Sequence, residues 1–160
     1  MSSPTTTSST TMTSPASIAS PTRPPRSIAG IASYHAHIYY DVATTRGEAE
    51  ILREQMAARF SVRVGSWHDK QVGPHGQSMY QIAFGVDVFA ELVPWLMLNR
   101  RGLSVLIHPN TDRPRDDHLL QSLWLGSALP VKGEVLGEEL PAGEAPENLS
   151  PNTTPHLDDI

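Results

Sequence analysis

The chain has no cysteine, so it can form no disulfide framework, thiolate nucleophile or Cys-based zinc or iron–sulfur site, and any metal must be bound through nitrogen and oxygen. Positive charge is scarce as well. Lys and Arg number 12 against 17 Asp and Glu, for a formal net charge of −5. The basic residues are scattered rather than drawn into a stripe, which argues against DNA or RNA as a partner. No apolar run approaches the ~20 residues of a membrane span, and the N-terminus lacks the apolar core of a secretory signal. A soluble, cytoplasmic protein with no membrane partner is therefore expected.

The two ends are short of apolar residues. Residues 1–28 are mostly Ser, Thr, Pro and Ala, with Arg23 and Arg26 as their only charges, too little apolar surface to offset the entropy of ordering. They are expected to form a disordered tail; their hydroxyl-rich, acid-free composition would suit a weak organelle-targeting sequence but lacks an arginine-rich amphipathic helix. Residues 132–160 are acidic and proline-rich and are expected to form a second disordered tail that includes His156. Residues 29–131 are left to form one small domain.

What the chain does have is histidine. Six of the seven histidines fall between His35 and His118. The stretch Tyr34-His-Ala-His-Ile-Tyr-Tyr-Asp41 reads as a strand, and successive strand side chains point to opposite faces. His35, His37 and Tyr39 then share one face and Ala36 and Ile38 the other. Thr45-Arg-Gly-Glu48 has capping-box spacing, and Ala49, Leu52, Met56 and Phe60 recur at helical intervals, which predicts a helix from Thr45 to Arg59. Phe60 to Trp67 alternates with period two and predicts a second strand, followed by a turn-rich loop carrying His68 and His75. Met79–Phe84 predicts a third strand. Asp87 is placed to cap a second helix carrying Phe89, Leu92 and Leu96, with Pro94 expected to kink or restart it. Leu103–His108 predicts a fourth strand and Leu120–Gly126 a fifth, joined by a loop with Asp116, Asp117 and His118.

The order strand, helix, strand, strand, helix, strand is that of an α+β ferredoxin-like sandwich, an antiparallel sheet with two helices on one face, here with an extra C-terminal strand. In this reading the first and third strands are central and parallel, and His35, His37, His68, His75 and His108 gather at one end of the sheet. Ala36, Ile38, Val62, Val64, Tyr80, Ile82, Phe84, Val105 and Ile107 go under the helices. His35, His37, Tyr39, Arg63, Trp67, Gln81, Ser104 and His108 are left on the opposite face. Strands lie ~4.8 Å apart and alternate residues on a strand ~7 Å apart, so several imidazoles can reach one ion. Fe(II), Zn(II), Mn(II) and Cu(II) all suit such donors. A lone strand histidine is ordinarily a hydrogen-bonded residue with no special role; the argument rests on the pairing of His-x-His with His108. Trp67 and Gln81 fit substrate contact or a dimer interface over the open face equally well, and Arg63 suits a substrate carboxylate.

Several blocks, in this order, are familiar: Tyr34–Asp41, Val64-Gly-Ser-Trp-His-Asp69, Gly73-Pro-His75, Met79-Tyr-Gln81, Val93–Arg100, Leu106-Ile-His-Pro-Asn-Thr111, Asp117-His118 and Leu123-Trp-Leu-Gly126. Together they resemble the small DOPA 4,5-dioxygenase family of fungi and bacteria, over Tyr34 to Val131. The resemblance implies a ferredoxin-like fold, a non-haem Fe(II) centre and extradiol cleavage of a catechol such as L-DOPA by O₂. The product would be a seco-DOPA that leads to betalamic acid-type compounds. From the face argument, His37, His75 and His108 are the expected metal ligands, with His35 as a fourth. His68 and His118 are expected to carry protons, and Arg63, Trp67 and Gln81 to contact substrate. Asp41, Asp69 or Asp117 would orient a ligand histidine or replace one as a ligand. The competing readings are a haem-using or cofactor-free oxygenase and a non-catalytic protein binding a metal or a phenolic. A ferredoxin-like domain with an exposed sheet face is also expected to pair into a homodimer.

Overall fold

The computed structural model describes residues 24–158; the targeting reading and most of the N-terminal tail expectation lie outside the described residues. The elements run β1 (Ser33–Tyr39), α1 (Arg46–Arg59), β2 (Arg63–Val64), β3 (Met79–Phe84), α2 (Phe89–Asn99), β4 (Val105–Asn110), α3 (Pro114–Leu119) and β5 (Leu123–Leu125). The five strands form one sheet in the order β2-β3-β1-β4-β5, with every neighbouring pair antiparallel. This is an α+β ferredoxin-like sandwich. The central strands β1 and β3 are antiparallel, Tyr34 standing opposite Phe84 and Tyr39 opposite Met79, which corrects the parallel pairing expected from sequence. The reason is topological: β1 and β2 run the same way on either side of α1, and β3 returns antiparallel to β2 between them.

Alternation along the strands selects the buried face. Ala36, Ile38, Tyr80, Ile82, Phe84, Val105 and Ile107 form one apolar cluster with Ala49, Leu52 and Met56 of α1 and Leu92, Val93 and Leu96 of α2. Burying each large aliphatic side chain of this cluster stabilises the fold by ~1.5–3 kcal/mol. Pro94 does not interrupt α2. It sits on the exposed side, where the carbonyl its missing N–H leaves free can bond water. Neither Thr45 nor Asp87 caps a helix through its side chain; the Thr45 hydroxyl instead accepts from the Asp41 N–H at 2.8 Å.

Two stretches expected as loop or tail have defined positions. Residues 114–119 form α3, with Pro114 at its start, Asp116 and Asp117 in its first turn and His118 in its last, a distribution that suits the helix dipole. Residues 132–158, expected to be a disordered tail, run as a strap along the domain. Their Asn152 N–H donates to the Val62 carbonyl, and the Asn152 side chain both accepts from the Val64 N–H at 2.7 Å and donates to the Val64 carbonyl at 3.0 Å. The Thr153 hydroxyl accepts from the Val62 N–H, and the His156 N–H donates to the Ala58 carbonyl. Over the face away from α1 and α2, Tyr39, Met79 and Leu106 form a second small cluster with Trp124, Leu129 and Val131.

Candidate metal centre

In antiparallel pairs, residues directly opposite one another share a face. His35 stands opposite His108, and His37 opposite Gln81 and Leu106. Two more imidazoles come from outside the sheet: His75 from the β2–β3 loop, tied by a bridge to Val131, and His118 from α3. The rings pack together, with centroids 3.8 Å apart for His108 and His118, 4.1 Å for His37 and His75, 5.2 Å for His37 and His108 and 5.1 Å for His35 and His108. The histidines therefore converge on a patch spanning the middle of β1, not at one end of the sheet as expected. The antiparallel central pair puts His75 beside Tyr39 and leaves His35 at the opposite end of β1.

Two groups of three present ring nitrogens within 4.8 Å of one another: His35, His37 and His108, and His37, His75 and His118. His37 belongs to both. Among the described residues neither group includes a carboxylate. Asp41 accepts from the N–H groups of Ala43 and Thr44, and Asp69 accepts from the Tyr40 hydroxyl and Arg46, so both are spent on local structure. Asp117 is next to His118 in the chain, but its two oxygens accept from the Thr111 N–H and hydroxyl, each at 2.8 Å.

The other ring nitrogens are largely committed. His108 Nδ1–H donates to the Pro109 carbonyl and His118 Nδ1–H to the Pro114 carbonyl, both at 2.8 Å; His75 Nδ1 shares a 2.6 Å hydrogen bond with the Tyr39 hydroxyl. A carbonyl can only accept, so for His108 and His118 these bonds place the proton on Nδ1 and leave Nε2 as a lone-pair donor. His37 Nε2 and His108 Nε2 lie 3.0 Å apart. Two nitrogens about 2.1 Å from one ion at right angles would also lie about 3.0 Å apart. His37 Nδ1 is buried with no hydrogen-bond partner, which costs ~1–3 kcal/mol if nothing else engages the ring. These residues fit a nitrogen-ligated divalent metal.

Electrostatics point the same way. Burial first, and the neighbouring imidazoles second, hold His37 and His108 below the ordinary histidine range and bring His75 down to about 4, while burial lowers His118 against the pull of the Pro114 carbonyl and Asp117. Burial lowers His35 too, against the pull of Glu147, whose carboxylate lies 3.0 Å from His35 Nε2. At neutral pH the rings are unprotonated, so protons compete little for a metal. A cleft of about 320 Å³ opens onto the cluster, lined by His35, His118, Asn110, Thr111 and Asp117 on one side and by Leu140 and Ala145–Glu147 of the strap on the other.

Of the remaining expected residues, Gln81 is half-buried opposite His37. Arg63 is on the histidine side of the sheet and donates to the Ser150 carbonyl at 3.3 Å. Trp67 is not on that side: it packs against Tyr40 and Tyr80, under Arg46 and Arg53, which corrects its expected place on the open face. The cause is a bulge. Gly65 stands opposite Gln81 and His68 opposite Met79, so three steps on one strand match two on the other, and every side chain after the bulge changes face. The same bulge puts His68 on the histidine side. Sequence reasoning missed the strap's contribution to the cleft and the grouping of His118 with the buried rings. For His118 the signal was present in the Pro-Arg-Asp-Asp-His pattern of a short helix.

The sequence profile of the Dopa 4,5-dioxygenase family matches residues 34–135. A DOPA 4,5-dioxygenase of Amanita muscaria is 27% identical over 137 residues, 79% of this chain. An uncharacterised 21.2 kDa protein of Botryotinia fuckeliana is 30% identical over 112 residues, 62% of this chain. The matches span 60% of the length of each of these relatives. The crystal structure of a candidate dioxygenase from Nostoc punctiforme, 48% identical, superposes with a TM-score of 0.68, covering 69% of this chain and 96% of that one.

Proposed function

Because the chain belongs to the Dopa 4,5-dioxygenase family, we propose that it is a metal-dependent dioxygenase performing extradiol cleavage of a catechol such as L-DOPA. The observation that carries this reading is the cluster of five histidines around His37, four of them with one ring nitrogen already engaged by another group. His37 and His108 would hold the metal, with His75 and His118 completing the set. Bound Fe(II) would supply open positions where a catechol and O₂ meet, and a path for electrons from ring to oxygen.

The chain's own residues would do the rest. The cleft is of a size at the small end of ligand pockets, ~300–1,000 Å³, and its walls would hold the ring against the cluster. Pro109, Pro114 and Tyr39, through their hydrogen bonds to His108, His118 and His75, keep the rings from turning. His68, half-exposed beside His75, and His35, on the cleft wall, are left to carry protons to and from the substrate.

The reading is tested by O₂ uptake with L-DOPA on protein reconstituted anaerobically with Fe(II), followed at the absorbance of the yellow ring-cleaved product, with Zn(II)-loaded protein as control. Iron-dependent uptake with a yellow product is expected. Stoichiometric iron without uptake on L-DOPA or simpler catechols would overturn it.

A further inference from the structure

The cleft wall has an electrostatic polarity that the histidine cluster does not explain. It carries two carboxylates, Asp117 and Glu147, and no lysine or arginine. The arginines nearby are turned to other acids: Arg26 to Asp112, Arg113 to Glu139 and Arg115 to Glu138. Asp117 is 2% exposed with both oxygens spent on Thr111, so it faces a ligand with little free capacity. Glu147 differs. Its side chain is 50% exposed, and a single oxygen is engaged, by His35 Nε2 at 3.0 Å.

Glu147 is also held in place from both directions. Its own carbonyl accepts from the Ser33 hydroxyl at 3.1 Å, and five residues on, Asn152 and Thr153 clip the strap to the edge of β2. A carboxylate fixed in this way at a cleft mouth pays little ordering entropy when a cation arrives. It lies beyond residues 34–135, the span matched by the family profile.

We propose that Glu147 selects the substrate: the cleft takes catechols whose side chain carries an ammonium group and disfavours those whose side chain carries only a carboxylate. This rests on the catechol reading above. It also reassigns the recognition of the substrate's side chain from Arg63, which does not line the cleft, to an acid on the strap.

The test is binding to Zn(II)-loaded protein, which does not turn the ligand over, with three probes: dopamine, 3,4-dihydroxyphenylacetate and 4-methylcatechol. The native chain should bind dopamine at least about fivefold more tightly than 3,4-dihydroxyphenylacetate, the scale of one half-exposed charge pair. Glu147→Gln preserves a hydrogen-bonding side chain toward His35 and should bring the two within about twofold while leaving 4-methylcatechol unchanged, and Glu147→Lys should reverse their order. Equal binding by the native chain, or a preference that survives Glu147→Gln, overturns the proposal. Oxygen uptake separates the two readings. Uptake without charge preference leaves the dioxygenase and removes Glu147 as selector, whereas charge preference without uptake on any catechol does the opposite.

Discussion

His37 is the residue on which both three-histidine groups depend, and it is fully buried with one ring nitrogen unpartnered. Replacing it by Ala should reduce bound metal from stoichiometric to trace after dialysis, read by elemental analysis, with the far-UV circular dichroism unchanged because the apolar cluster under the helices is untouched. His118→Ala discriminates between two roles. As a ligand it should lose metal like His37→Ala; full metal occupancy with lost turnover would return it to proton transfer. His35, His37 and His108 were legible in the sequence because period-two alternation needs no knowledge of the rest of the chain. Trp67 was not, since alternation was carried through a bulge at Gly65 that no residue pattern announces: a Cβ there would meet the Gln81 carbonyl at 3.0 Å, a close approach visible only once the strands are paired.

Among the elements, β1, α1, β3, α2 and β4 were readable from apolar spacing because each buries a face against the same core. The strap was unreadable for the opposite reason: it buries almost no apolar surface and is held by hydrogen bonds to an edge strand, which leave no hydrophobic period. Asn152 shows how. Its side-chain amide bonds the N–H and carbonyl of Val64 as a neighbouring strand would, covering part of the edge that a two-residue β2 leaves open. Asn152→Ala removes both bonds and should lower stability by about 1–2 kcal/mol, a shift in the urea midpoint without a change in slope. An unchanged midpoint would mean water replaces the amide without loss. The parallel arrangement expected for the central strands failed at this scale as well. Alternation assigns faces, but strand direction follows from the right-handed crossover through α1 and the return of β3 beside β2.

At the scale of the molecule, the cluster places five imidazoles in or beside the interior, and folding must keep them unprotonated. A histidine whose folded pKa lies below its unfolded value contributes no instability at high pH. As pH falls through the ordinary 6.5 the unfolded chain takes up protons that the folded chain refuses, so stability falls until the folded pKa is reached. For His75 that window runs from 6.5 down to about 4; His37 and His108, held well below the ordinary value, extend the loss in the same direction. Metal-free protein should therefore lose thermal stability steadily as pH is lowered from 7 toward 4.5, whereas His37→Ala should lose less over the same interval. Metal sharpens the contrast. Binding to the folded chain alone raises the melting temperature at pH 7, and because protons and metal compete for the same nitrogens the increment should shrink as the medium becomes acidic. Calorimetry with and without Zn(II) across this range reads both effects. A metal-free melting temperature flat from pH 7 to 4.5 would mean that the rings accept protons in the folded state, and that the cluster is open to water in a way its burial does not allow.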